Sequence, residues 1–159
     1  LFYTTVYAFT LVGAFGVVGV VRRETGGDDF SHFSGLASSS PLLAGCMAIF
    51  MLSLAGIPPL AGFFGKFYLF SVALRSGGNQ ALLWLVALGL VGSFVSLYYY
   101  LLVLKTIFVD EPEVPRARPL DRVPSGSLQQ ATVILVAAAV VFLGIMPSVL
   151  VSRILAAIP

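Results

Sequence analysis

One lysine in apolar surroundings is where this sequence is equipped to do chemistry. Lys66 lies in Gly56-Ile-Pro-Pro-Leu-Ala-Gly-Phe-Phe-Gly-Lys-Phe-Tyr-Leu-Phe70, the only charged side chain deep inside a long hydrophobic stretch. A cation in hydrocarbon costs several kcal/mol unless it is paired, neutralised or hydrated, so a lysine there points to ion or proton movement. Burial disfavours its charged form, and so does the positive N-terminal end of a helix starting just before it. Proton exchange is therefore the chemistry that the residue suits. Snorkelling to a headgroup is awkward, because nine residues separate Lys66 from Arg75 at the segment end, about 13 Å of helix. A structural lysine bonded to carbonyls freed by a helix break remains the competing reading.

Such a break is written beside it. Pro58 and Pro59 have no N–H, so a helix running through them leaves the carbonyls of Leu54 and Ala55 unpaired. Gly56 and Gly62 supply the backbone freedom for an irregular turn. Residues 41–75 are too long for one straight crossing, about 52 Å as a continuous helix, yet contain no polar loop for two. One span broken near 56–62 fits better. Irregular backbone at membrane depth must be buried in protein or line a hydrated cavity, which places the break inside the fold.

Three further apolar regions frame it, at 2–21, 81–108 and 128–151, each of the roughly 20 residues that a membrane-crossing helix requires. The expected fold class is an all-α membrane protein with four transmembrane segments, the second a broken helix. Composition agrees: 58% of the 159 residues are hydrophobic and 10% charged, and the mean hydropathy is +1.01, far from a soluble domain. Charge gathers in loops and at segment ends, which excludes a basic nucleic-acid surface. The connections at 22–40 and 109–127 read as polar loops, the second with four prolines and seven charges between Asp110 and Ser127. With four crossings both lie on one side, with six Lys+Arg against Arg75 and Arg153 on the other. The positive-inside rule makes that side cytoplasmic and puts both ends of the chain outside. The chain begins at Leu1 without an initiator Met and reads as a fragment.

Other polar residues carry blander expectations. Gly89/Ser93 and Gly92/Ser96 are small pairs suited to close helix packing. Tyr98, Tyr99 and Tyr100 cannot share one helix face. Tyr3, Tyr7 and Trp84 suit interfacial anchoring, and Lys105 suits snorkelling to the surface. Cys46 reads as a small core residue, and His32 as a solvated loop residue. No phosphate loop, dinucleotide fingerprint, nucleophile elbow or metal-ligand spacing occurs, so no metal or redox cofactor is expected on this chain.

The stretch Met51-Leu-Ser-Leu-Ala-Gly-Ile-Pro-Pro-Leu-Ala-Gly-Phe-Phe-Gly-Lys-Phe-Tyr-Leu-Phe70 closely resembles the signature of the subunit N family of bacterial respiratory complex I, among the antiporter-like proton-pumping subunits. Gly13-Ala-Phe-Gly-Val-Val18, Ser93-Phe-Val-Ser-Leu-Tyr-Tyr-Tyr-Leu101 and Gly144-Ile-Met-Pro147 match in order. The resemblance covers essentially the whole of 1–159, as the C-terminal third of a fourteen-helix subunit. It implies a discontinuous helix around Gly56, Pro58, Pro59 and Gly62, and Lys66 as a proton relay residue near the distal half-channel. It further implies a translocase subunit in a bacterial inner membrane, without a redox centre of its own. NADH, FMN, iron–sulfur clusters and quinone would be bound by other subunits. Partners would be other complex I membrane subunits, adjacent antiporter-like ones included, and the lipid bilayer. The alternatives are a subunit of a multi-component sodium/proton antiporter or membrane-bound hydrogenase, or a non-transporting structural subunit.

Overall fold

Helix is the only regular structure among the described residues, which in this computed structural model are 2–75, 80–112 and 127–148. In chain order the helices are α1 (Phe2–Thr25), α2 (Phe30–Phe33), α3 (Leu36–Ser39), α4 (Pro41–Ala55), α5 (Ala61–Arg75), α6 (Gln80–Phe108) and α7 (Ser127–Ile145). Three of them, α1, α6 and α7, are long and apolar enough to cross a membrane. By contrast α4 and α5 have 15 residues each, about 22 Å at 1.5 Å per residue, and neither crosses alone. Among the described residues there are three helices of membrane-crossing length, or up to four spans if a bent pair is counted as one, so the all-α membrane fold with one broken helix is as the sequence indicated. The linker at 113–126 with Arg116, Arg118 and Arg122, and the chain beyond 148 with Arg153, lie outside the described residues.

Helix α4 sits at the centre, packed against α1, α5, α6 and α7. Between helices in lipid there is little hydrophobic gain, so close packing has to hold them together, and small residues permit it. On α1, Gly13 lies against the Phe50 ring of α4 and Gly16 against Val133 of α7. A Cβ at Gly13 would fall inside that ring. Val17, Val21, Leu43, Phe50, Val133 and Val140 form the fully buried centre of the resulting cluster. The Gln129 side-chain amide adds one polar link, donating to the Gly16 carbonyl at 3.3 Å. Cys46 is buried in the core, as expected.

The helix ends are chemically determined. Pro41 opens α4 after Ser40, whose hydroxyl accepts the Leu43 amide, a serine N-cap with proline in the first turn. Arg22 and Arg23 close α1, where cations complement the helix dipole.

The 22–40 connection differs from the polar loop expected. It holds α2 and α3, and the Phe30–Ser39 segment meets α4 at 120°. Phe33 and Leu36 are buried, and the Gly35 amide donates to the Thr106 carbonyl of α6 at 3.3 Å. Two apolar anchors in an otherwise hydrophilic stretch draw it onto the bundle. His32 follows this segment and is half-buried rather than solvated, within 3.5 Å of the Ser31 hydroxyl.

Most of α6 faces away from the bundle. Trp84, Leu88, Phe94, Tyr98 and Tyr99 are exposed, a surface that suits hydrocarbon or neighbouring helices rather than water. Tyr100 turns inward onto the core, so the tyrosine triplet divides between faces. Gly89 meets the Phe70 ring of α5 while Gly92 meets nothing, so only the first small pair packs. Lys105 pairs with Asp110 at 3.3 Å at the end of the helix.

Candidate functional site

Accounting for backbone groups at the break explains where the Lys66 amine goes. Helix α4 ends on Gly56, which adopts the left-handed conformation at φ 83°, open to glycine at little cost. The Gly56 amide donates to Ser53 O at 3.0 Å and the Ile57 amide to Leu52 O at 3.0 Å. This is the double bond pattern of a Schellman cap. It pairs two of the last four carbonyls of α4 and leaves those of Leu54 and Ala55. Lys66 Nζ donates to both, at 2.9 Å to Leu54 O and 3.2 Å to Ala55 O. All four terminal carbonyls of α4 are thereby paired, as buried backbone requires.

Lys66 reaches them because α5 overlaps α4 rather than abutting it. The chain passes through Ile57, the cis Pro58–Pro59 peptide and Leu60 before α5 begins. Gly62 then lies directly against the Ser53 backbone, and its amide donates to Ser53 Oγ at 3.2 Å. Ser53 thus acts as an N-cap for α5 from across the break. Residues nine apart would be about 13 Å apart in a continuous helix, so this contact folds the chain back between Ser53 and Gly62. Gly62 was expected to supply turn freedom. Its dihedrals are not unusual, and what it supplies is a missing Cβ where two backbones touch.

The electrostatics also differ from expectation. The sequence placed Lys66 near the positive start of α5, whereas its amine folds back over Gly56 to the carbonyl end of α4, where helix dipoles favour a cation. The geometry then permits proton exchange without dismantling the site. An ammonium has three N–H donors: two hold the carbonyls and one points elsewhere. The neutral amine keeps two N–H groups for the same carbonyls and presents a lone pair in the third direction.

Two cavities flank the lysine. One, of about 450 Å³, runs between α5 and α6, with Phe63, Phe67, Phe70, Leu90 and Phe94 along it and Lys66 and Gly56 at its edge. The other, of about 10 Å³, is lined by Tyr3, Tyr7, Thr10, Ser53 and Lys66. Tyr3 and Tyr7 thus stand beside the lysine, their rings stacked at 5.8 Å, where the sequence suggested membrane-interface anchors. Ser53 and Thr10 were not singled out from the sequence. Their signal there is no more than a hydroxyl within a largely apolar span.

Residues 1–96 match the family described as NADH:quinone oxidoreductase/Mrp antiporter, TM. A relative named NADH-quinone oxidoreductase subunit N 2, from Acidobacterium capsulatum, is 44% identical over 151 residues, covering 94% of this chain and 29% of that protein. The chloroplastic NAD(P)H-quinone oxidoreductase subunit 2 of Chaetosphaeridium globosum is 49% identical over 111 residues, covering 70% and 21%. A chain of respiratory complex I from Thermus thermophilus with bound aureothin superposes with a TM-score of 0.71 at 33% identity, covering 92% of this chain and 33% of that one. The chain therefore spans less than a third of the length of these curated relatives.

Proposed function

The chain belongs to the NADH:quinone oxidoreductase/Mrp antiporter transmembrane family, and from that premise we infer that it forms part of a proton-translocating membrane subunit of an NADH–quinone oxidoreductase. The observation that carries the reading is the Lys66 amine held by the Leu54 and Ala55 carbonyls at a helix discontinuity. It is an ionisable group at membrane depth whose third bonding position is unclaimed by those carbonyls. Chemistry at NADH, FMN, iron–sulfur clusters and quinone belongs to other subunits in this reading. Their turnover acts here as a change in electrostatic field or conformation that shifts the lysine between its two protonation states. Each shift favours or discourages a proton on the next buried charge. Gly56 and the proline pair provide a joint at which α5 moves relative to α4 without unwinding either helix.

The relatives named as quinone oxidoreductase subunits favour this reading over a sodium/proton antiporter, which the family also includes. A direct test uses inverted membrane vesicles from cells with and without the gene for the intact protein. Deletion is expected to abolish the proton gradient built on adding NADH and to leave sodium-driven proton exchange unchanged. Loss of the sodium-driven exchange alone would assign the chain to an antiporter.

The orientation proposed is that of a bacterial inner membrane protein with 22–40 and 109–127 cytoplasmic, resting on the loop charges. Cysteines introduced singly between residues 112 and 124 are expected to react with an impermeant maleimide in inverted vesicles and not in intact spheroplasts. The reverse pattern would invert the topology.

A further inference from the structure

The small cavity beside Lys66 has the size and the complement of donors and acceptors of a particular ligand. Its volume of about 10 Å³ is close to the minimum that holds one water molecule, roughly 10–15 Å³ on this measure. Its walls come from α1, α4 and α5, and two of its polar side chains, Thr10 and Ser53, are each 1% exposed. Thr10 spends its hydroxyl proton on the Val6 carbonyl at 2.7 Å, so toward the cavity it accepts. Ser53 spends a lone pair on the Gly62 amide, and among the described residues no protein group takes its hydroxyl proton, so toward the cavity it donates. Lys66 has its third N–H, and Tyr3 and Tyr7 complete the polar lining. A single water accepting from Ser53 and Lys66, and donating to Thr10 and one tyrosine, completes four hydrogen bonds. The larger cavity, lined chiefly by phenylalanine and leucine, brings the Ser71 and Ser93 side chains to the same lysine but no tyrosine or threonine.

We propose that this cavity is a one-water site through which Lys66 exchanges its proton, with Ser53 and Thr10 as positioning residues that orient that water. The inference rests on the proton-translocation reading and extends it to a route on the α1 side of the lysine. In the releasing step the Lys66 N–H bond breaks and its proton passes to the water oxygen. The water gives one of its own protons to a tyrosine oxygen, and that tyrosine releases its phenolic proton to solvent beyond. One proton leaves, the lysine is neutral, and water and tyrosine regain their starting composition with their hydrogens rotated.

The test uses the intact complex in proteoliposomes, with Thr10→Val, Ser53→Ala and Lys66→Met alone and in pairs. Thr10→Val keeps the shape and makes no bond across the break, so it decides the matter if Ser53→Ala, which also loses the Gly62 contact, fails to assemble. Thr10→Val and Ser53→Ala are each expected to lower NADH-driven proton uptake about five- to tenfold, the equivalent of one well-placed hydrogen bond. Neither is expected to add to the loss in a Lys66→Met background. A difference-infrared water band that shifts in H2(18)O is expected in the parent and absent from Thr10→Val. Unchanged uptake in Thr10→Val, or a loss that adds in full to that of Lys66→Met, would overturn the water site alone. Normal uptake by Lys66→Met would overturn the water site and the function together.

Discussion

Replacing Lys66 with methionine in the intact complex is expected to lower NADH-driven proton translocation by the order of tenfold or more, as removal of a positioned proton-transfer group does. NADH oxidation by an artificial acceptor, which bypasses the membrane arm, is expected to continue. Methionine nearly matches the lysine stem in length and flexibility but donates no hydrogen bond. The carbonyls of Leu54 and Ala55, now bonded at 2.9 and 3.2 Å, would then be left without partners at membrane depth. Each unsatisfied group costs about 1–3 kcal/mol, so the variant complex is also expected to dissociate at lower temperature. Loss of stability by itself would equally follow from a structural lysine. Lys66→Arg separates the two, because guanidinium supplies donors for both carbonyls yet does not release a proton at working pH. The expected result is restored thermal resistance with pumping still impaired. Full pumping by the arginine variant would exclude a protonation cycle here.

How far the sequence revealed this site depends on how local each cause is. The break was readable because a proline pair removes two N–H groups wherever it stands, and the carbonyls it frees are named by counting back along the helix. Leu54 and Ala55 were identified in that way. The lysine that satisfies them was also plain, as a cation without a neighbour of opposite charge. What could not be read was the return of α5 alongside α4, since a contact between Gly62 and Ser53 belongs to the path of the chain between them. Without that overlap the amine was assigned to the wrong end of a helix dipole. The place of Tyr3 and Tyr7 beside Lys66 was hidden for a related reason. Aromatic residues near the end of a span suit the membrane interface, and only the depth of α1 against α5 shows them beside Lys66. The connection at 22–40 was misjudged from its mean polarity, which hid the two side chains, Phe33 and Leu36, that anchor it.

These points make Ser53 and Gly62 a joint rather than two loose contacts. Ser53 meets the start of α5 through its side chain and its backbone, and it also faces the cavity beside the lysine. A movement of α5 along α4 at this joint therefore carries the amine with it. A coupling change that slides α5 would alter the third bonding direction of Lys66 before it broke either carbonyl bond.

Gly62→Ala is expected to disable the site with a single added methyl group. A Cβ there would meet the Ser53 carbonyl group and hydroxyl oxygen, and a backbone carbonyl cannot rotate aside as a flexible side chain does. The start of α5 must withdraw from α4, stretching the Gly62 amide bond to Ser53 Oγ, now 3.2 Å. Lys66 lies about one turn further along the same helix and is drawn off the Leu54 and Ala55 carbonyls with it. Forced overpacking of this kind costs about 1–3 kcal/mol. A shift of only 1 Å in a proton-transfer geometry is enough for about a hundredfold in rate. Proton uptake is therefore expected to fall more steeply than the thermal stability of the complex. Gly92→Ala is the control, since a Cβ on that face of α6 meets nothing within 4 Å. It is expected to be neutral or slightly stabilising, because alanine favours a helix over glycine by about 0.5–1 kcal/mol. Equal behaviour of the two alanine variants in proton uptake would show that the close approach of α4 and α5 does not position the lysine.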